Sequence, residues 1–160
     1  MAERPVLFAF DGSPGSIAAI ETAGTLLGPR AATVLSVWSP VMTVAPVAGG
    51  IPAYLSDLDP KLEEQAHEQA ERGAQLARDA GFDADSCTAS KHVTWLGVVE
   101  MAETVDAEVI VVGARGLSGL KSALLGSTSN GVLHHTKRPV LIVPRSDLES
   151  DAERESADAG

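Results

Sequence analysis

The chain has one cysteine, Cys87, one tyrosine, and an aromatic content of only 4%. A lone cysteine cannot close an internal disulfide or supply the paired thiolates of a zinc site. Cys87, in the alternating segment 85–90, therefore reads as a buried structural thiol, with a redox role as the alternative. Basic residues are scarce: 12 Lys and Arg stand against 22 Asp and Glu, for a net charge of −10. No basic stripe interrupts that acidity, which argues against the broad phosphate contacts that nucleic-acid binding depends on. Long apolar runs are also missing. Those at 109–112 and 140–143 are far too short to span a bilayer, and the opening Met-Ala-Glu-Arg-Pro lacks the basic-then-apolar layout of a secretory signal. The expectation is a cytoplasmic protein with neither nucleic-acid nor membrane partners.

What is present is enough for one folded domain. The 160 residues, 44% of them hydrophobic, can bury a core without disulfides or structural metal. Residues 1–145 read as that domain. Residues 146–160 carry Asp147, Glu149, Asp151, Glu153, Glu155 and Asp158 with one apolar side chain larger than Ala, which predicts a solvated, disordered acidic tail.

Strand and helix signals alternate along the domain. Residues 5–10 form an apolar run closed by Asp11-Gly12-Ser13-Pro14, where Ser13 can cap a helix that opens on Pro14. Ile17, Ile20, Ala23 and Leu27 recur at helical spacing, and Gly28-Pro29 stops the helix. Residues 32–38 read as a second strand, followed by a long Pro- and Gly-rich connection over 39–58. Asp59-Pro60 repeats the cap-plus-proline signal for an amphipathic helix with Leu62, Ala66, Ala70, Gly73 and Ala77 on one face, ending at Gly81. Segments 85–90, 108–112 and 139–143 supply three further strands. Thr94 is the expected cap of a helix over 95–104, and another helix runs through Val132 and Leu133.

This alternation predicts an α/β fold with a doubly wound five-stranded parallel sheet in the order 3-2-1-4-5 and helices on both faces, of the Rossmann-like kind. In such a sheet a ligand sits beyond the carboxyl ends of strands 1 and 4, where the connections diverge. Asp11 follows strand 1, and Gly113 and Gly116 follow strand 4. Glycines let a backbone approach a phosphate, and the hydroxyl residues Ser127, Thr128 and Ser129 open the next helix, whose free N–H groups suit an anion. Asp11 is too acidic to hold phosphate directly. Its partners would be ribose hydroxyls or a bridging magnesium, and its structural alternative is a plain Asp-Gly turn. The pattern is neither a Walker A loop nor the dinucleotide Gly-x-Gly-x-x-Gly fingerprint.

The spacing Gly-x2-Gly-x9-Gly-Ser, read as Gly113, Gly116, Gly126 and Ser127, resembles the signature of the ATP-binding class of universal stress proteins. The resemblance extends to the opening strand with Asp11, to Leu35-Ser36-Val37, to Val109-Ile110-Val111-Val112-Gly113, and to the closing Lys137-Arg138-Pro139-Val140-Leu141-Ile142-Val143-Pro144. It covers essentially residues 5–144. It implies an ATP-binding regulator of the stress response in which Asp11 contacts ribose and Val37 backs the adenine. Gly113, Arg115 and Gly116 would line the ribose-phosphate path, and Gly126, Ser127, Thr128 and Ser129 would hold the phosphates, with a magnesium bridge to them. It also implies a homodimer paired through Val140, Leu141, Ile142 and Val143, at an edge strand open to pairing. Two positions depart from the pattern: Ser36 stands where many relatives carry His, and Ser90-Lys91-His92 replaces a common Gly-x-Pro.

Other residues offer less. His134 and His135 suit the negative end of the last helix better than a metal site, since no ligand-spaced carboxylate accompanies them. His67 and His92 are isolated, and Trp38 and Trp95 read as core before ligand platform. Two alternatives to a nucleotide-dependent regulator remain: a slow ATP hydrolase or phosphotransfer switch, and a ligand-free dimeric scaffold. No general base besides Asp11 is placed by the motif, while Arg115 and Lys121 are the candidate phosphate cations.

Overall fold

The structure is a computed structural model that describes residues 3–41, 58–116 and 125–144. The expected irregular connection falls mostly, and Lys121 and the acidic segment 146–160 wholly, outside the described residues. Five segments, apolar except for the largely polar β3, form the strands β1 (Val6–Ala9), β2 (Ala31–Trp38), β3 (Asp83–Ser90), β4 (Val109–Gly113) and β5 (Val140–Val143). They make one parallel sheet in the order β3-β2-β1-β4-β5. The helices α1 (Pro14–Leu27), α2 (Leu58–Asp79), α3 (Thr94–Thr104) and α4 (Ser127–His135) complete the alternation. No helix among the described residues is long and apolar enough to cross a membrane.

Side-chain alternation divides the core into two layers, because successive strand residues face opposite sides of the sheet. Val6, Phe8, Phe10, Val34 and Val111 meet Ile20 and Ala23 of α1 and Ala74 and Ala77 of α2. Leu7, Leu35, Ile110 and Val112 meet Val98 and Ala102 of α3 and Val132 of α4. Parallel strands covered on both faces need apolar residues on both, which is why β1 and β4 read as unbroken hydrophobic runs.

The cap expected at Ser13 is present: its Oγ accepts the Ser16 N–H at 3.2 Å, and Pro14 opens α1. Two other caps differ. Asp59 stands inside the first turn of α2, where its carboxylate accepts the Val41 N–H at 2.7 Å and so ties the chain beyond β2 to that helix. Val93, in extended conformation, is the residue before α3, so Thr94 is already helical and makes no capping bond. Cys87 is half-buried on β3, and burial pushes its thiol up to about 11, leaving it protonated at neutral pH as a structural thiol should be.

At the opposite end of the sheet from the strand carboxyl ends, Arg138 gathers three segments. Its guanidinium donates to both Glu103 oxygens at 2.9 Å, to Asp106 Oδ1 at 2.9 Å and to the Ala107 carbonyl. Those hydrogen bonds hold the Glu103 and Asp106 carboxyls below their ordinary range. A carboxylate depressed in the folded state contributes stability that is present above its unfolded pKa and is lost as pH falls through the folded value. Thermal melts of the wild type should therefore fall more steeply below about pH 4 than those of Arg138→Met, whose carboxylates have lost that partner. Parallel slopes would refute this linkage.

Candidate nucleotide-binding cleft

The carboxyl ends of β1 and β4 lie side by side, with Phe8 in register with Val111, and the chain leaves them on opposite faces of the sheet. A cleft of about 390 Å³ opens there. All of Asp11, Val37, Gly113, Arg115, Gly116, Gly126, Ser127, Thr128 and Ser129 line it, so the residues singled out in four separate stretches of sequence meet around one space.

Each is placed by local chemistry. Asp11 closes β1 with an Asx turn, its Oδ1 accepting the Ser13 N–H at 2.9 Å, while Gly12 takes φ 76°, a left-handed conformation that glycine adopts without strain. The turn reading and the site reading of Asp11 are therefore compatible, because the other oxygen, Oδ2, faces Gly116. A Cβ on Gly116 would stand 2.8 Å from that oxygen. At Gly113 a Cβ would stand 2.8 Å from the backbone of Gly15, so this glycine lets the first turn of α1 rest against the end of β4.

The return of the chain to α4 is fastened from within. Gly126 donates its N–H to the Ala114 carbonyl at 2.7 Å, and Ala114 in turn donates to Val143 on β5 at 2.8 Å. The Ser129 hydroxyl is shared between the carbonyls of Ala114 (3.1 Å) and Gly126 (3.0 Å), and its residue is buried. What Ser129 offers the cleft is thus its backbone N–H, and the hydroxyl holds the loop. Gly126 has φ −63° and ψ 162°, ordinary extended backbone, so a positive φ is not what glycine supplies at this position. The first-turn N–H groups at Ser127, Thr128 and Ser129 have no intrahelical acceptor, as in any helix.

Residues that the sequence did not assign to the site also line the cleft. Ser13 and Ser16 come from the start of α1, Thr94 from the start of α3, and Gln69 from the middle of α2. The amino-terminal ends of three helices, α1, α3 and α4, thus converge on one cavity. Each brings a partial positive charge, and α3 and α4 bring first-turn N–H groups as well, whereas at α1 Pro14 has no N–H and Ser13 Oγ takes that of Ser16. Asp11 and Arg115 are the ionisable side chains of the lining among the described residues. Trp95 stands outside it. Its indole stacks on His135, ring centroids 4.0 Å apart and planes 18° from parallel, and packs over Gly131, where a Cβ would collide with it. His135 Nδ1 lies 2.8 Å from the Gly131 carbonyl, so this histidine serves the α3–α4 contact and the end of α4.

Residues 3–144 match the universal stress protein family. The chain belongs to that family. Among its relatives, the universal stress protein MJ0577 of Methanocaldococcus jannaschii is 28% identical over 116 residues, covering 69% of this chain and 68% of the relative. Sll1388 of Synechocystis is 38% identical over 84 residues, and that match spans about half of each protein, 51% of this chain and 54% of the relative. The solved structure of MJ0577 superimposes with a TM-score of 0.73 at 23% identity, covering 91% of this chain and 99% of that one, a likeness of fold. A universal stress protein solved in complex with cAMP gives 0.63 at 26% identity, covering 91% of this chain and 100% of the other. For this universal stress protein, the sheet order and the cleft beyond strands 1 and 4 are features of its own fold.

Proposed function

We propose that the protein binds ATP in this cleft and acts as a nucleotide-dependent regulator. The observation that carries the reading is the convergence of three helix amino termini, with the Gly113, Gly116, Gly126, Ser127 series, on a cavity at the switch point of the sheet. A relative of the same fold solved with cAMP supports an adenine nucleotide as the ligand class. In this reading Val37 backs the base, Asp11 Oδ2 takes a ribose hydroxyl or a magnesium ion, and Arg115 with Gly113 and Gly116 follows the ribose-phosphate path. The N–H groups of Ser127, Thr128 and Ser129 and the hydroxyls of Ser127 and Thr128 hold phosphate oxygens.

Titration calorimetry with ATP tests this, together with mass spectrometry of any small molecule released when the purified protein is denatured. Ser127→Ala removes one hydrogen bond to a charged group, about 1.5–3 kcal/mol, and leaves the backbone donors in place. Binding should weaken by roughly ten- to a hundredfold. Wild-type protein that binds no nucleotide and releases none would return the ligand-free scaffold to first place.

Hydrolysis is expected to be slow. Asp11 is the cleft's one carboxylate among the described residues, and one of its oxygens is committed to the Ser13 N–H. That leaves little to activate an attacking water. For assembly, β5 is an edge strand that among the described residues pairs only with β4, and Val140, Leu141 and Ile142 on it are half-buried. A homodimer joining two such edges would remove them from water and close the assembly by two-fold symmetry. Sedimentation should show a dimer at micromolar concentration, and a monomer alone would overturn it. The reduced cytoplasm suits a chain whose single thiol is half-buried and protonated.

A further inference from the structure

Gln69 is the one cleft residue contributed by α2, and its amide is held in one orientation by the protein itself. Nε2 donates to the Phe10 carbonyl at 3.3 Å and to Ser36 Oγ at 3.4 Å. The Ser36 hydroxyl spends its own proton on the same Phe10 carbonyl at 2.8 Å and is fully buried, so it can only accept from Gln69. A carbonyl oxygen and a hydroxyl whose proton is used both demand a donor. A flipped amide would set its oxygen against two acceptors, which decides the orientation. Oε1 is then the free end of the amide, with no hydrogen-bond donor among the described residues. It lies beside Gly12, where a Cβ would stand 3.4 Å from it. The side chain is half-buried, anchored on the residue that follows β1 and on Ser36 of β2.

We infer that Gln69 is a specificity-determining residue that accepts a hydrogen bond from an uncharged donor, hydroxyl or amino, on the nucleoside half of the ligand. This rests on the nucleotide-binding reading above. A half-buried acceptor fixed by buried partners cannot turn to offer N–H instead, so a ligand presenting an acceptor there leaves two lone pairs opposed. A site built to satisfy a hydrogen bond rejects the analogue lacking it far more strongly than an apolar wall does. The network behind Gln69 sets the sign of that preference.

The test is a cycle of ligand against variant, read by calorimetry. ATP, 2′-deoxy-ATP and ITP are titrated into the wild type, Gln69→Met and Gln69→Leu. The deoxy analogue deletes a ribose hydroxyl donor, and inosine replaces the 6-amino donor with a carbonyl. One of the two analogues should bind the wild type about tenfold or more weakly than ATP, and that penalty should shrink to near twofold in either variant. A deoxy-specific penalty assigns the donor to ribose, and an inosine-specific penalty assigns it to the base. Gln69→Met retains nearly the same volume and leaves the Ser36–Phe10 bond intact, and Gln69→Leu gives a second apolar replacement should Met disturb α2. Circular dichroism checks that each is folded. Equal analogue penalties in the wild type and both folded variants would overturn the inference while leaving nucleotide binding standing. A wild type that binds none of the three would remove both.

Discussion

Gly126→Val is expected to fold normally and, with ATP bound as proposed, to lose that binding by about a hundredfold or more, which corresponds to about 2.8 kcal/mol. Two structural facts separate the fold from the site at this position. The backbone at Gly126 is extended, with φ −63° and ψ 162°, so a β-branched residue is at ease there. The added Cβ meets Ala114 O and Arg115 Cα at 3.4 Å and Gly116 N at 3.6 Å, ordinary van der Waals contact that needs no backbone shift. The branched methyls must then project from a residue that lines the cleft, immediately before the first-turn N–H groups of α4. Phosphate oxygens can approach those groups closely only if nothing larger than hydrogen stands at the lip. Calorimetry should rank wild type above Ser127→Ala above Gly126→Val, with unchanged circular dichroism and melting temperature within a few degrees. Folded Gly126→Val that binds ATP as tightly as the wild type would place the phosphate site elsewhere.

Gly113→Val, by contrast, should damage the fold itself, lowering stability by about 3 kcal/mol or more. The Cβ would stand 2.8 Å from Gly15 C and O and 3.2 Å from Ser16 N. These are backbone atoms in the first turn of a helix whose cap, the Ser13 side chain, is buried. A flexible side chain could move aside, but here α1 must lift away from β4 and open the Ile20 and Ala23 layer of the core. Gly113→Ala should show the same defect at smaller size, since only the Cβ is added. Chemical denaturation with a change in midpoint and an unchanged slope is the measurement. A Gly113→Val protein as stable as the wild type would mean that the first turn of α1 does not rest on this strand end as described.

The contrast between these two glycines marks how far the chain can be read before its structure is known. Both belong to the same spaced motif, and the motif alone assigns both to the ligand. The structure assigns Gly113 to helix–strand contact as well, and shows that Gly126 keeps the cleft open without any special backbone angle. Ser129 is similar: its position in the hydroxyl series suggested a phosphate contact, whereas its hydroxyl is turned inward to two carbonyls. Gln69 carried no usable signal. At the edge of the buried face of an otherwise charged helix, it reads as one more polar residue until the tops of β1 and β2 are placed beside it.

Local chemistry by itself determined the element order and the α1 cap at Ser13, because apolar periodicity, proline and capping side chains act over a few residues, and the alternation of strands with helices then pointed to the parallel sheet order. Through the spaced glycines and hydroxyls, it also marked where the cleft lies. Only the tertiary structure decided which atoms of those residues remain free. That depends on partners distant in sequence: Gly15 against Gly113, Ala114 against Ser129, Phe10 and Ser36 against Gln69. A buried donor or acceptor is spoken for by whichever group the packed sheet and helices bring within 3.5 Å, and the pattern along the chain carries no record of that pairing.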